Sequence, residues 1–409
     1  MSLVRIVAAA IGIIVALTGC QKSIPVRSAW SGTIALTNQK QLPFQFVLER
    51  EREPFRAYFM NGSERTAVPE VQQRGDSLVF LFPEYQSAMA GIWDGRRWRG
   101  QLLRYRADTT ANEFTASPVP EKDGNAPASG APTRSLAGTY RVLAQSAGGI
   151  DTTMTATFRM QGDSIVGTII APDGDYGLLA GVQSGDHVQL TRFTGWQAFL
   201  LELDRDGPAW RAALYARSGD PQAFRLEPRP RENTVPIAGR TTTAKDPRAR
   251  FNFQGLSSTG ELIRSTDDRY KGKAVIVDIM GTWCHNCMDA APVLEQLSRK
   301  YKNRGLEVVA LSFELKDDPA LGRKNLARYA ARYDIKFPLL YCGSTGSRAV
   351  DSILRSQLND FYAYPTTLFL DARGRIHSIH VGFRGPGTGD EYQRQVQDYD
   401  AEVERILPR

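Results

Sequence analysis

Cysteine and histidine are both scarce in this chain, four of each among 409 residues. Zinc needs four ligands, usually two Cys-x-x-Cys pairs or one pair with spaced histidines. Only one pair is present, Cys284 and Cys287, and a structural zinc site is set aside. Long apolar runs are lacking too: the stretch at residues 6–17 is too short for a comfortable membrane span. No basic run is interleaved with aromatics, and an excess of +7 is modest for this length. Nucleic-acid binding is therefore excluded in favour of a solvated basic surface. With 23% charged and 42% hydrophobic residues, the composition describes globular material with no disordered majority. The length exceeds what one core holds, so two or three domains are expected.

What is present is one concentrated stretch. Residues 274–280 (AVIVDIM) are apolar, β-branched and free of helical spacing, as a central parallel strand should be. Gly281 and Thr282 break the run, and Cys284-His285-Asn286-Cys287 opens a helix with apolar Val293, Leu294 and Leu297. A thiolate at a helix N-terminus is stabilised by unpaired N–H groups and the helix dipole, so a lowered pKa is expected at Cys284. Cys287, one turn deeper, is close enough to form a disulfide with it and to resolve a mixed disulfide.

The run Gly-Thr-Trp-Cys-x-x-Cys at 281–287 resembles the thioredoxin superfamily, and within it the TlpA/ResA-like membrane-anchored thiol–disulfide reductases. Asp278, six residues before the first cysteine, matches the buried acid that helps move the proton off the resolving thiol. Pro292 matches the proline inside the active-site helix, and Tyr364-Pro365 before the strand at 368–370 matches the cis-proline opposite the cysteines. The resemblance covers about residues 251–409 and implies an α/β thioredoxin-like domain. It departs from thioredoxin at His285-Asn286, which replace Gly-Pro, and from many ResA-like proteins at Ala290, where those carry glutamate. It implies Cys284, Cys287 and Asp278 as catalytic, with Trp283, His285, Tyr364 and Pro365 facing the substrate. His285 either lowers the Cys284 pKa as an imidazolium or is an exposed spacer, and both readings stay open. A peroxidase of the peroxiredoxin kind would want Thr-x-x-Cys, and a copper-delivery module Cys-x-x-x-Cys; neither is found. No metal or cofactor is called for. Cys342 reads as a core or sub-surface thiol at a strand end, and the glycine-rich loop 382–389 as a conformational element near the active-site rim.

At the N-terminus, Arg5, the apolar residues 6–17 and Leu17-Thr18-Gly19-Cys20 resemble a bacterial lipoprotein signal with its lipobox. The resemblance implies cleavage at residues 1–20, lipidation of Cys20 and a tether at 21–27. The protein would then face the periplasm from a bacterial membrane, with an outer-membrane or surface position open. Its partners would be disulfide-containing proteins, and a membrane thiol carrier would supply electrons.

Between anchor and redox domain, residues 28–116 and 136–227 read as all-β, with short aromatic and β-branched segments such as 33–36, 43–48, 77–82, 98–105, 164–170 and 187–192. Linkers are expected at 117–135 and 228–250, both rich in turn formers. Gly32-Thr33 and Gly138-Thr139, Asp94-Gly95 and Asp206-Gly207, and Phe114 and Phe224 recur at spacings near 110, which fits a duplication. Gly-Asp-Ser at 75–77 and 162–164 does not fit it. A large sandwich, a barrel or two small domains all satisfy this pattern. The rival to an oxidoreductase is a surface binding protein whose β-rich half captures a partner or glycan, its redox domain being secondary.

Overall fold

The computed structural model describes residues 23–25, 28–36, 38–49, 55–105, 109–119, 135–146, 149–229 and 241–408. The signal segment with Cys20, and much of the tether and of both linkers, lie outside the described residues.

Alternation of apolar and polar residues makes the first β-rich stretch an antiparallel sheet of nine strands. Its first strand, Ser28–Ala35, pairs both with the second, Gln41–Glu49, and with the last, Thr109–Pro118. Stacked and edge-on aromatics fill its core, among them Phe80 and Phe114 with ring centroids 4.8 and 4.5 Å from Trp98. The second stretch repeats this closure: Gly138–Ser146 pairs with Gly149–Gln161 and with Gln222–Pro228. The recurring Asp-Gly pairs fall at like places, Gly95 and Gly207 each turning between consecutive strands at positive φ (96° and 62°). The β-rich region is thus built from sheets of barrel and half-barrel kind. Two compact units result. Residues 180–204 and 212–222 join the described residues up to 119, whereas 135–179, 205–211 and the described residues from 223 onward form the second.

In that second unit, residues 243–408 build a seven-stranded sheet. Its strand order is Leu262–Arg264, Gln254–Leu256, Leu339–Ser344, Leu306–Glu314, Ala274–Met280, Thr366–Leu370, Ile376–Val381. Ala274–Met280 runs parallel to Leu306–Glu314 and antiparallel to Thr366–Leu370, and all seven of its residues are buried. Burial on both faces explains why its sequence does not alternate. Three helices pack on the sheet: α1 (His285–Tyr301), α2 (Pro319–Tyr333) and α3 (Asp390–Ile406). The Asp318 carboxylate caps α2, accepting the N–H groups of Ala320 and Leu321, with Pro319 at the first helical position. Val350–Arg355 forms a π-helical turn. Among the described residues no helix is long and apolar enough to cross a membrane.

Candidate active site

The parallel strand Ala274–Met280 ends beside the start of α1, and this junction holds the sulfur pair. Cys284 occupies the N-cap with extended backbone (φ −85°, ψ 120°), and its sulfur accepts the N–H of Cys287 at 3.3 Å. A sulfur there takes the place of the side-chain oxygen that ordinarily caps a helix. Cys284 and Cys287 form a disulfide with Cα atoms 5.2 Å apart. Cys287 is fully buried and Cys284 keeps only 6% of its surface exposed, so the two thiols differ in access.

Opposite the pair, the Tyr364–Pro365 peptide is cis, and the Tyr364 carbonyl oxygen lies 3.4 Å from Cys284 Sγ. Tyr364 stands among rings, 5.7 Å from Trp283, 5.3 Å from Phe361 and 6.2 Å from Phe313 between centroids. Burial pushes its phenol well above the ordinary value. The Trp283 indole N–H donates to the Phe313 carbonyl at 2.9 Å, which pins the ring to the strand Leu306–Glu314.

Asp278 lies in the central strand at a register position directly across from Thr367. Its carboxylate accepts the Thr367 hydroxyl at 3.0 Å, and the Tyr399 hydroxyl of α3 donates to that same Thr367 oxygen at 3.1 Å. Burial drives the Asp278 pKa up to about 7, against the smaller opposing pull of the Thr367 hydrogen bond. A carboxyl poised near neutrality can hold or release a proton at working pH.

The His285 imidazole pairs with Asp289 one turn along α1, Nε2 to Oδ2 at 3.2 Å, with 14% of its side chain exposed. The exposed-spacer reading does not describe so enclosed a ring. Cys342 sits in Leu339–Ser344, where burial pushes its thiol up to about 12 and its sulfur lies 3.4 Å from the Gln254 carbonyl.

Sequence reasoning missed Glu314. Its buried carboxylate accepts four hydrogen bonds: Thr282 N–H (3.2 Å), Thr282 Oγ1 (2.8 Å), Ser312 Oγ (2.6 Å) and Asn325 Nδ2 (3.1 Å). This cluster fixes the Gly281–Thr282 turn from which Trp283 and Cys284 project. Tyr329 of α2 was missed as well; its hydroxyl donates to the Cys287 carbonyl at 2.7 Å. The available signal was an acid closing the mostly apolar strand LEVVALSFE, the second of its two glutamates.

A family model described as Redoxin matches residues 243–398. Thioredoxin-like protein YneN of Bacillus subtilis (strain 168) is 34% identical over 132 residues, 32% of this chain and 68% of that protein. The thiol-disulfide oxidoreductase ResA of Bacillus thuringiensis subsp. konkukian (strain 97-27) is 35% identical over 148 residues, 36% of this chain and 75% of its own. Among solved structures, a putative thiol:disulfide interchange protein DsbE from Chlorobium tepidum aligns at TM-score 0.29 and 22% identity, over 37% of this chain and 93% of that one.

Proposed function

This chain belongs to the ResA-like thiol–disulfide oxidoreductases of the thioredoxin superfamily, and from that premise we propose that it reduces disulfides of extracytoplasmic proteins through Cys284 and Cys287. The observation that carries the assignment of roles is the placement of Cys284: its sulfur caps α1 and lies 3.4 Å from the Tyr364 carbonyl.

In the reduced enzyme, the Cys284 thiolate attacks one sulfur of the substrate disulfide. That S–S bond breaks, the second substrate sulfur leaves as a thiolate, and a mixed disulfide joins substrate to Cys284. Asp278 takes the proton from Cys287, whose thiolate then attacks the Cys284 sulfur. The remaining substrate thiolate departs, leaving the enzyme as the disulfide and the substrate reduced by two electrons. A slightly exposed nucleophile and a fully buried resolving sulfur suit this order, because a substrate meets Cys284 first. Tyr364 and Pro365 hold the substrate backbone, while Trp283 and His285 shape the rim around the sulfur. A membrane thiol carrier returns the electrons, and lipidation at Cys20 keeps the protein on a bacterial membrane, facing the periplasm.

Direction is tested by assaying insulin reduction beside oxidation of reduced ribonuclease, together with a measured reduction potential. Superfamily members span about −270 to about −120 mV. Insulin reduction with a potential towards the lower end supports the reductase; ribonuclease oxidation with a potential near the upper end overturns it.

A further inference from the structure

The glycine-rich loop 382–389 and a turn of the β-rich half meet beside the cysteines, and both belong to the same compact unit. The turn, residues 173–178, follows the strand Ser164–Ala171 and carries Asp175, which is only 6% exposed. One Asp175 oxygen accepts the Gly385 N–H at 2.6 Å, and the other accepts the Gly177 N–H of its own turn at 2.6 Å. Asn286, which lies between the two cysteines, reaches the same residue. With its amide turned to match donors to acceptors, its nitrogen donates to the Asp175 carbonyl and its oxygen accepts the Asp175 N–H, both at 3.2 Å. Such double pairing is what a neighbouring strand would make.

Three glycines mark how closely these segments approach. A Cβ on Gly174 would lie 1.8 Å from the Asn286 amide, and one on Gly382 would lie 2.5 Å from the Asp173 carbonyl carbon. On Gly387 it would stand 3.2 Å from Leu178, itself only 4% exposed. Gly382 is also at φ +74°, a conformation that other residues adopt only at a cost. From the far side, the Gln395 side chain of α3 holds the loop, accepting Arg384 N–H at 2.7 Å and donating to the Gly382 carbonyl at 3.3 Å. The glycine content of 382–389 thus serves a backbone contact with residues some two hundred positions earlier.

We propose that the turn 173–178, latched by Asp175 to Gly385 and Asn286, is a selectivity cap on the Cys284–Cys287 site. It walls the Asn286 side of the rim and leaves the Trp283–Tyr364 side as the approach to Cys284. Small or extended disulfides fit that approach, while bulkier protein disulfides are slowed by the wall. The inference rests on the thiol–disulfide reading given above.

Two substrates separate the cap from the chemistry. The reduced full chain is reacted with 5,5′-dithiobis(2-nitrobenzoate), a small disulfide, and with insulin, a protein one. In Asp175→Ala, and independently in Gly174→Ala, whose added methyl would strike the Asn286 amide, the ratio of insulin rate to small-disulfide rate is expected to rise at least threefold. An unchanged ratio in whichever variants fold like the parent, or a fall, overturns the cap while leaving the oxidoreductase reading standing. A parent protein that reduces neither disulfide takes both down.

Discussion

Cys284 Sγ lies 3.4 Å from the carbonyl oxygen of Tyr364, although 80 residues of chain separate them. That approach joins the start of α1 to the segment before the strand Thr366–Leu370. A polypeptide lying along the Tyr364 backbone would present its own sulfur to Cys284, in the manner of a strand added at an edge.

Cys284→Ala is expected to abolish insulin reduction to the uncatalysed level, because Cys287 is fully buried and cannot take over as nucleophile. The same variant separates the oxidoreductase from a surface binding protein. Survival of the cellular role in Cys284→Ala would favour binding by the β-rich half; its loss is the expected result.

Asp278→Asn should alter stability in a pH-dependent way. Burial raises the native Asp278 pKa from 3.8 to about 7, so the native state holds its proton more tightly than the unfolded chain does. Parent stability therefore falls as pH rises from near 4 to near 7, and the full deficit persists above that. Three pKa units at about 1.4 kcal/mol each give a deficit on the order of 4 kcal/mol. Asparagine carries no such deficit. Urea unfolding of the oxidised proteins should show the variant gaining on the parent between pH 4 and pH 8; a difference that does not change with pH contradicts this. If Asp278 takes the Cys287 proton as proposed, the reduced variant should also resolve mixed disulfides more slowly.

Much of the redox half is written in local pattern. The apolar run AVIVDIM and the sulfur pair at a helix start each determine structure within a few residues, and each is found where the sequence places it. The strand segments 77–82 and 98–105 are likewise found as Ser77–Phe82 and Trp98–Tyr105, because aromatic and β-branched residues between turn formers leave few alternatives. Glu314 and Asp175 could not be read in this way. Glu314 stands out only as an acid closing a mostly apolar strand, and the roles of both acids come from partners 32 and 210 residues away. The same holds for Gly382, which the sequence places only in a conformational loop near the active-site rim; its contact with Asp173 comes from the fold.

Glu314→Ala would strand four buried donors around the Gly281–Thr282 turn. Each unsatisfied buried group costs about 1–3 kcal/mol, with partial relief by relaxation, so a loss of roughly 3–5 kcal/mol is expected. Glu314→Gln keeps the shape and one acceptor oxygen, and should lose less. Denaturant unfolding checks both, and a loss below about 1 kcal/mol for the alanine variant would remove Glu314 from the account as the support of the cysteine turn.

The central claim is that Cys284 is the attacking sulfur and Cys287 the resolving one. The direct measurement is trapping by reduced Cys287→Ser with a disulfide-bonded protein such as insulin, followed by peptide mapping of the adduct. The account predicts a stable mixed disulfide on Cys284, absent from the Cys284→Ser, Cys287→Ser double variant. No adduct, or an adduct carried by Cys342, would contradict it.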